Sequence, residues 1–247
     1  MCTLTLAWQV FDDAPVTVAA NRDESLERAF VPPGVYREDP LVIAPQDAEA
    51  GGTWIGVNEH DVFAGLTNRW TDEELAGERS RGLLVADVLA CDSAREAAAV
   101  VERTTAEYEY DGFHLVVADE DDAIWLGWDG SLERVALEPG VHVVVNVGFD
   151  DHVSIPSFRD EVGRQQAENA KKVRRALEPE SGERAEEWLS RAKAVLGDHE
   201  YGVCIHENGY GTRSSSLITL GETLTYEFAD GPPCRTTHEP IGLEGQV

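Results

Sequence analysis

The sequence predicts an α+β fold of two stacked, mostly antiparallel sheets covered by layers of paired helices. Three observations predict it. Segments with strand character and pairs of amphipathic helices follow in the order strands, two helices, strands, two helices, strands. Tight turns join successive strands, Asp129-Gly130 being the strongest two-residue hairpin signal among them. No linker-like stretch interrupts the 247 residues, so residues 1–247 read as a single domain. Sheets and helices of this kind bury their apolar faces by stacking.

The opening strand is set by alternation: Leu4, Leu6 and Trp8 are separated by Thr5 and Ala7, the period of a half-buried strand. Asp12 to Pro15 turn the chain, and Val16 to Ala20 return it as a hairpin. Hairpin geometry then places Asn21-Arg22-Asp23-Glu24 beside Cys2. Residues 31–50 carry Pro32, Pro33, Pro40 and Pro45 and read as an irregular loop. Gly51-Gly52-Thr53-Trp54-Ile55-Gly56 leads into a strand, and Val62 to Thr67 forms the next, ending on Asn68.

Ser80 to Ala90 and Ser93 to Glu107 are the first helix pair, the second opened by the capping box Ser93-Ala94-Arg95-Glu96. A strand ladder follows over residues 113–118, 123–128, 132–137 and 141–147. Phe158 to Leu177 and Arg184 to Leu196 are the second helix pair, the former with Phe158, Val162, Ala170, Val173 and Leu177 on one apolar face. Gly202 to His206, Arg213 to Leu220 and Thr223 to Phe228 close the fold.

Composition limits the possible functions. The net charge is -27, from 47 acidic against 20 basic residues, and only Lys171, Lys172 and Lys193 are lysines. Dispersed acid with scarce lysine is the pattern of halophilic cytoplasmic proteins, and it disfavours nucleic acid and anionic membranes as partners. No run is apolar enough to span a bilayer and no signal-peptide pattern opens the chain, so the sequence reads as cytoplasmic. Cys2, Cys91, Cys204 and Cys234 lack CxxC spacing, which argues against a zinc site or a disulfide framework. No metal is expected.

Chemistry is concentrated at strand ends. Removal of Met1 is expected because Cys2 is small, and it would leave a thiol and an α-amine on one residue. That amine titrates near ~8 and can take the thiol proton, as in N-terminal nucleophiles. A small residue on an ordinary first strand is the competing reading of Cys2 taken alone. The other polar strand ends, Asn21 to Glu24, Asn68, Asn146 and Arg213, supply what such a nucleophile needs: an acceptor for the amine, amide donors for an oxyanion and a cation that favours thiolate.

Met1-Cys2, Asn21-Arg22-Asp23-Glu24, Gly51-Gly52-Thr53-Trp54-Ile55-Gly56, Gly65-Leu66-Thr67-Asn68-Arg69, Ser80-Arg81-Gly82 and Tyr210-Gly211-Thr212-Arg213-Ser214-Ser215 resemble the transport and Golgi organisation protein 2 family, also called the NRDE family. The resemblance implies a four-layer αββα fold of the N-terminal nucleophile hydrolase type. The chain is also distantly similar to the choloylglycine hydrolases, amidases that begin Met-Cys-Thr. Carried over, Cys2 is nucleophile and base, Asp23 contacts the α-amine, and Asn68 contributes to the oxyanion hole. Asn146 binds the amine or the substrate carbonyl, and Arg213 orients the cysteine. Asn21, Arg22, Trp54 and Trp70 are the substrate-binding candidates. The hydrolases have an arginine where Ala20 stands, so Arg22 is the candidate substitute, turned by alternation away from Asn21 and Asp23. Two functions follow from the resemblance: a cysteine amidohydrolase for a small amide or acyl compound, needing no cofactor, or a non-catalytic carrier or chaperone holding haem or an acyl chain in the same pocket. The oligomeric state is open on either reading.

Overall fold

The computed structural model describes residues 2–242. Its strands are β1 (Thr3–Phe11), β2 (Ala14–Ser25), β3 (Phe30–Glu38), β4 (Leu41–Asp47), β5 (Ile55–Asn58), β6 (Phe63–Asn68), β7 (Phe113–Ala118), β8 (Ala123–Trp128), β9 (Leu132–Ala136), β10 (Gly140–Val145), β11 (Gly148–Phe149), β12 (His152–Val153), β13 (His206–Glu207), β14 (Tyr210–Leu220), β15 (Thr225–Ala229) and β16 (Glu239–Pro240). Its α-helices are α1 (Arg81–Val88), α2 (Ala94–Glu107), α3 (Asp160–Ala176) and α4 (Ala185–Gly197). The chain forms two compact units. One joins the opening segment, through Glu27, to Pro139–Pro240; the other runs from Arg28 to Glu138.

The first unit is built on a nine-stranded antiparallel sheet in the order β12-β11-β10-β1-β2-β14-β15-β16, with β13 on β14. The β1–β2 hairpin sets Asn21 opposite Thr3 and Val18 opposite Leu6. Leu4, Leu6, Val16, Val18 and Ala19 are all buried, so both faces of this hairpin are covered. The sequence pattern predicts that residues 141–147 continue the ladder of β7, β8 and β9. Instead β10 pairs with β1, Val145 facing Thr3. The Glu138-Pro139-Gly140 turn therefore passes the chain from one sheet to the other. Its Gly140 has φ 152, a backbone conformation that L side chains rarely adopt.

The helices α3 and α4 belong to this unit. Trp188 of α4 is fully buried, its ring 5.9 Å from that of Phe11, and its indole N–H donates to the Leu177 carbonyl at 2.9 Å. Of the predicted apolar face of α3, Ala170, Val173 and Leu177 are buried but its N-terminal part is not. Phe158 lies in a short 3-10 turn before the helix and is 63% exposed, and Val162 is 49% exposed. The buried face also carries Gly163, Gln166, Ala167 and Asn169. The two amides there are held by partners that periodicity does not reveal: Gln166 Nε2 donates to Asn146 Oδ1 and Asn169 Nδ2 to the Gly202 carbonyl. The expected strand over residues 202–206 is also different. Gly202 adopts φ 65 and closes a 3-10 turn at His199–Tyr201, leaving only His206 and Glu207 to pair with β14.

The second unit holds a seven-stranded antiparallel sheet in the order β3-β4-β5-β6-β7-β8-β9. Leu84, Val85, Val88 and Leu89 of α1 and Ala94, Ala97, Ala98 and Val101 of α2 pack with Ala64, Leu115, Val117 and Leu126 of the sheet in one cluster. Ser80 caps α1 and Ser93 caps α2, accepting from the Glu96 N–H at 3.2 Å; the Glu96 carboxylate reaches back to the Asp92 N–H. The predicted loop over residues 31–50 is in fact the β3–β4 hairpin. Pro32 and Pro33 are tolerated because β3 is an edge strand and the register shifts between Val31 and Gly34. Pro45 lies beyond the residues of β4 that pair with β5. Gly52 and Gly82 have a packing role: a Cβ on Gly52 would run into the Gly82 backbone, where Thr53 N–H donates to the Gly82 carbonyl at 3.0 Å.

Candidate active site

Cys2 stands just ahead of β1, between β10 and β2. Its backbone nitrogen donates to Asn146 Oδ1 at 3.0 Å, immediately past the end of β10. Its thiol lies 3.6 Å from the Asp23 carbonyl oxygen on β2. Asn146 is buried, and its Oδ1 also accepts from Gln166 Nε2 of α3 at 3.0 Å. The acceptor that receives the Cys2 nitrogen is thus fixed from the opposite side by a buried amide.

Asp23 is 4% exposed. Its Oδ1 accepts from the Thr212 hydroxyl at 2.5 Å, and Thr212 faces Asp23 directly across the β2–β14 ladder. The Tyr210 hydroxyl donates to the Asp23 carbonyl at 3.1 Å. Burial pushes the Asp23 carboxyl up to about 6 from its ordinary 3.8, against the pull of the Thr212 bond. Burial also pushes the Cys2 thiol up, and the Asp23 charge adds to that, while Arg22 works in the opposite direction.

The other predicted residues take varied places. Arg22 is buried and forms an ion pair with Glu24 at 3.7 Å. Asn21 is buried and directs its side chain at the end of α4: Nδ2 donates to the Leu196 carbonyl at 3.0 Å and to the Val203 carbonyl at 2.9 Å. Both amide hydrogens therefore hold backbone. Arg213 is the residue at which the β2–β14 register shifts, and its Nη1 donates to Asp230 at 3.0 Å. Asn68 ends β6 in the second unit and is exposed. Trp54, in the same unit, meets Phe30 edge-on at 5.7 Å, and Trp70 is half-buried. The structure thus brings Cys2, Asp23 and Asn146 together and adds Gln166, Thr212 and Tyr210, which the sequence reading did not single out. Thr212 and Tyr210 lie inside the Tyr210–Ser215 motif, one and three residues before Arg213. Gln166 has no local signal.

The geometry sets a thiol beside a backbone nitrogen anchored by an asparagine, next to a buried carboxyl group. The family model described as Transport and Golgi organisation 2 matches residues 1–231. This chain belongs to the Transport and Golgi organisation 2 family. It is 27% identical to the Transport and Golgi organization protein 2 homolog of Bos taurus over 93% of this chain and 96% of that one. The Homo sapiens homolog is also 27% identical, over 88% of this chain and 96% of its own.

Among solved structures, the chain is similar to penicillin V acylase from Agrobacterium tumefaciens, with TM-score 0.58 and 14% identity over 93% of this chain and 83% of that one. A Caenorhabditis elegans ortholog of N-acylethanolamine-hydrolyzing acid amidase aligns with TM-score 0.59 and 14% identity over 88% of this chain and 92% of that one. A mutant of the conjugated bile acid hydrolase from Clostridium perfringens aligns with TM-score 0.52 and 13% identity over 100% and 94%. The fold is therefore of the N-terminal nucleophile hydrolase type. Among the described residues no helix is long and apolar enough to cross a membrane.

Proposed function

We propose that this member of the Transport and Golgi organisation 2 family is an N-terminal cysteine amidohydrolase acting on a small amide or related acyl compound. One observation carries the reading. The Cys2 nitrogen is held by Asn146 Oδ1 at 3.0 Å while the Cys2 thiol lies at Asp23. A nitrogen held this way is constrained before Met1 is removed, and after removal the same atom is the α-amine. The amine takes the thiol proton as sulfur attacks the substrate carbonyl. It then gives that proton to the departing amine as the C–N bond breaks and a thioester forms. Water cleaves the thioester, the amine again acting as base. The similar structures include hydrolases named for penicillin V, N-acylethanolamine and conjugated bile acid substrates, all of them acyl amides.

The test uses protein made without an N-terminal tag. Intact mass should equal the chain lacking Met1. Incubation with a panel of acyl amides should release amine, and quenched samples should carry an acyl group on Cys2. Cys2→Ser should lose turnover by at least ~100-fold. A retained Met1 in active protein would overturn the mechanism. Tight haem or fatty-acid binding that survives Cys2→Ser, with no amide cleaved, would favour the carrier.

A further inference from the structure

Four side chains outside the Cys2 site converge on one point in the first unit. His199, Cys204, His206 and Cys234 place one ligand atom each within 4.8 Å of one another. Cys204 Sγ lies 3.7 Å from His206 Nε2, and that nitrogen lies 3.1 Å from Cys234 Sγ. The absence of CxxC spacing argues against a zinc site in the sequence alone. The fold supplies the convergence that the spacing lacks, since the ligands come from three separate places. His199 opens the 3-10 turn after α4, Cys204 and His206 flank Ile205 at the approach to β14, and Cys234 sits in the turn where Arg235 and Thr236 N–H groups donate to the Pro232 carbonyl.

We propose that these residues form a tetrahedral Cys2His2 site for zinc or a closely similar soft divalent ion. Metal–sulfur bonds of ~2.3 Å and metal–nitrogen bonds of ~2.0 Å put the S and N atoms of a tetrahedron roughly 3.5 Å apart. The two measured S···N separations bracket that value. Two thiolates and two imidazoles are the donor set that zinc takes in closed structural sites, and they disfavour magnesium and calcium, which require oxygen. A di-iron cluster with the cysteines on one iron and the histidines on the other requires a more extended arrangement than this single compact group.

The site is a clamp on backbone. It ties the tail turn at Cys234 to the segment from His199 to His206. Ile205, between two of the ligands, donates its N–H to Thr212 Oγ1 at 2.9 Å and accepts from the Thr212 N–H at 2.9 Å. Thr212 is the residue that donates to the Asp23 carboxylate. The metal therefore supports the strand that carries the hydroxyl partner of Asp23, without touching Cys2 chemistry itself.

The test is independent of any amidase activity. Full-length protein carrying no polyhistidine tag is expressed with zinc supplied and its metal content measured. About one zinc per chain is expected, resistant to gel filtration. Cobalt substitution should give thiolate-to-cobalt charge transfer and the intense visible bands of a tetrahedral ion. Cys204 is buried, so Cys204→Ser risks misfolding. Cys234→Ser and His206→Ala, at more exposed positions, should lose the metal at least ~10-fold while keeping the circular dichroism of the wild type. Cys91→Ser is the control and should keep it. Wild-type protein without stoichiometric metal, variants that bind it equally well, or a Cys204–Cys234 disulfide in place of metal would each overturn the proposal.

Discussion

Replacing Asp23 by asparagine should stabilise the protein at neutral pH while removing the proposed amidohydrolase activity. The Asp23 carboxyl is pushed up to about 6 by burial, whereas the unfolded chain releases that proton at its ordinary 3.8. A gap of about two pKa units is worth ~3 kcal/mol. The sign follows from which state holds the proton. Between the two values the folded protein is protonated at Asp23 and the unfolded chain is not. Stability from this group is thus fully present below pH 3.8 and lost as pH rises through about 6. Asparagine keeps an oxygen to accept from Thr212 but does not titrate. The stability difference between Asp23→Asn and wild type should therefore grow in favour of the variant by up to ~3 kcal/mol from about pH 4 to about pH 7.5. Urea unfolding in constant molar KCl, followed by circular dichroism at several pH values, measures it. A difference that stays flat across that window would mean that the carboxyl is not raised in the folded protein, and the reasoning fails.

Other outcomes test the rest of the reading. The melting temperature should rise from dilute buffer to molar KCl, because salt screens the self-repulsion of a -27 charge; a flat or falling midpoint in a thermal scan contradicts this. Asn146→Ala should lower the acylation rate ~100-fold or more and cost ~1–3 kcal/mol, since it strips an acceptor from both the Cys2 nitrogen and Gln166 Nε2; stopped-time mass spectrometry and denaturant titration read the two effects. Limiting iodoacetamide with peptide mapping should label the half-buried Cys2 before the buried Cys91 and Cys204, and Arg22→Ala, which removes a charge that favours the Cys2 thiolate, should slow the labelling of Cys2; label spread evenly over the three would contradict it.

Much of this architecture is written in local pattern. The alternation of Leu4, Leu6 and Trp8 and the Asp12-Asp13 turn specify the hairpin that brings Asp23 to Cys2. Ser80 and Ser93 mark the helix starts because their hydroxyls satisfy otherwise orphaned N–H groups. Long-range choices were not legible. Nothing near Val141 says that its strand pairs with β1 rather than β9, since an apolar strand fits either sheet. Prolines at 32 and 33 suggested a loop because their tolerance depends on β3 being an edge, a property of the whole sheet. Asn21 was read as a substrate contact from its place in the motif. Its two bonds to Leu196 and Val203 carbonyls make it a brace between β2 and the end of α4. Gln166 escaped notice because a buried glutamine is predicted only by its partner, and that partner, Asn146, is twenty residues away in sequence.

The electrostatics of the site favour one source for the thiolate. Burial raises the Cys2 thiol and the Asp23 carboxyl together, and Asp23, when ionised, disfavours a second negative charge beside it. Arg22 opposes this, but it ranks below burial among the influences on the thiol. A standing thiolate is therefore not what the pocket provides. In the proposed reaction the proton must move to a base at the moment of attack, and that base has to lie within hydrogen-bond reach of sulfur. The nitrogen of Cys2 itself meets that requirement by covalent structure, and Asn146 fixes its direction. An asparagine carbonyl is suited to this position because it accepts from an amine without donating a proton to it. Asp23 then has a separate role: its carboxylate offsets the positive charge that the amine gains when it takes the thiol proton. On this account Asp23 is costly to the folded state and useful to the reaction for the same reason, which is that it is a charge held out of water.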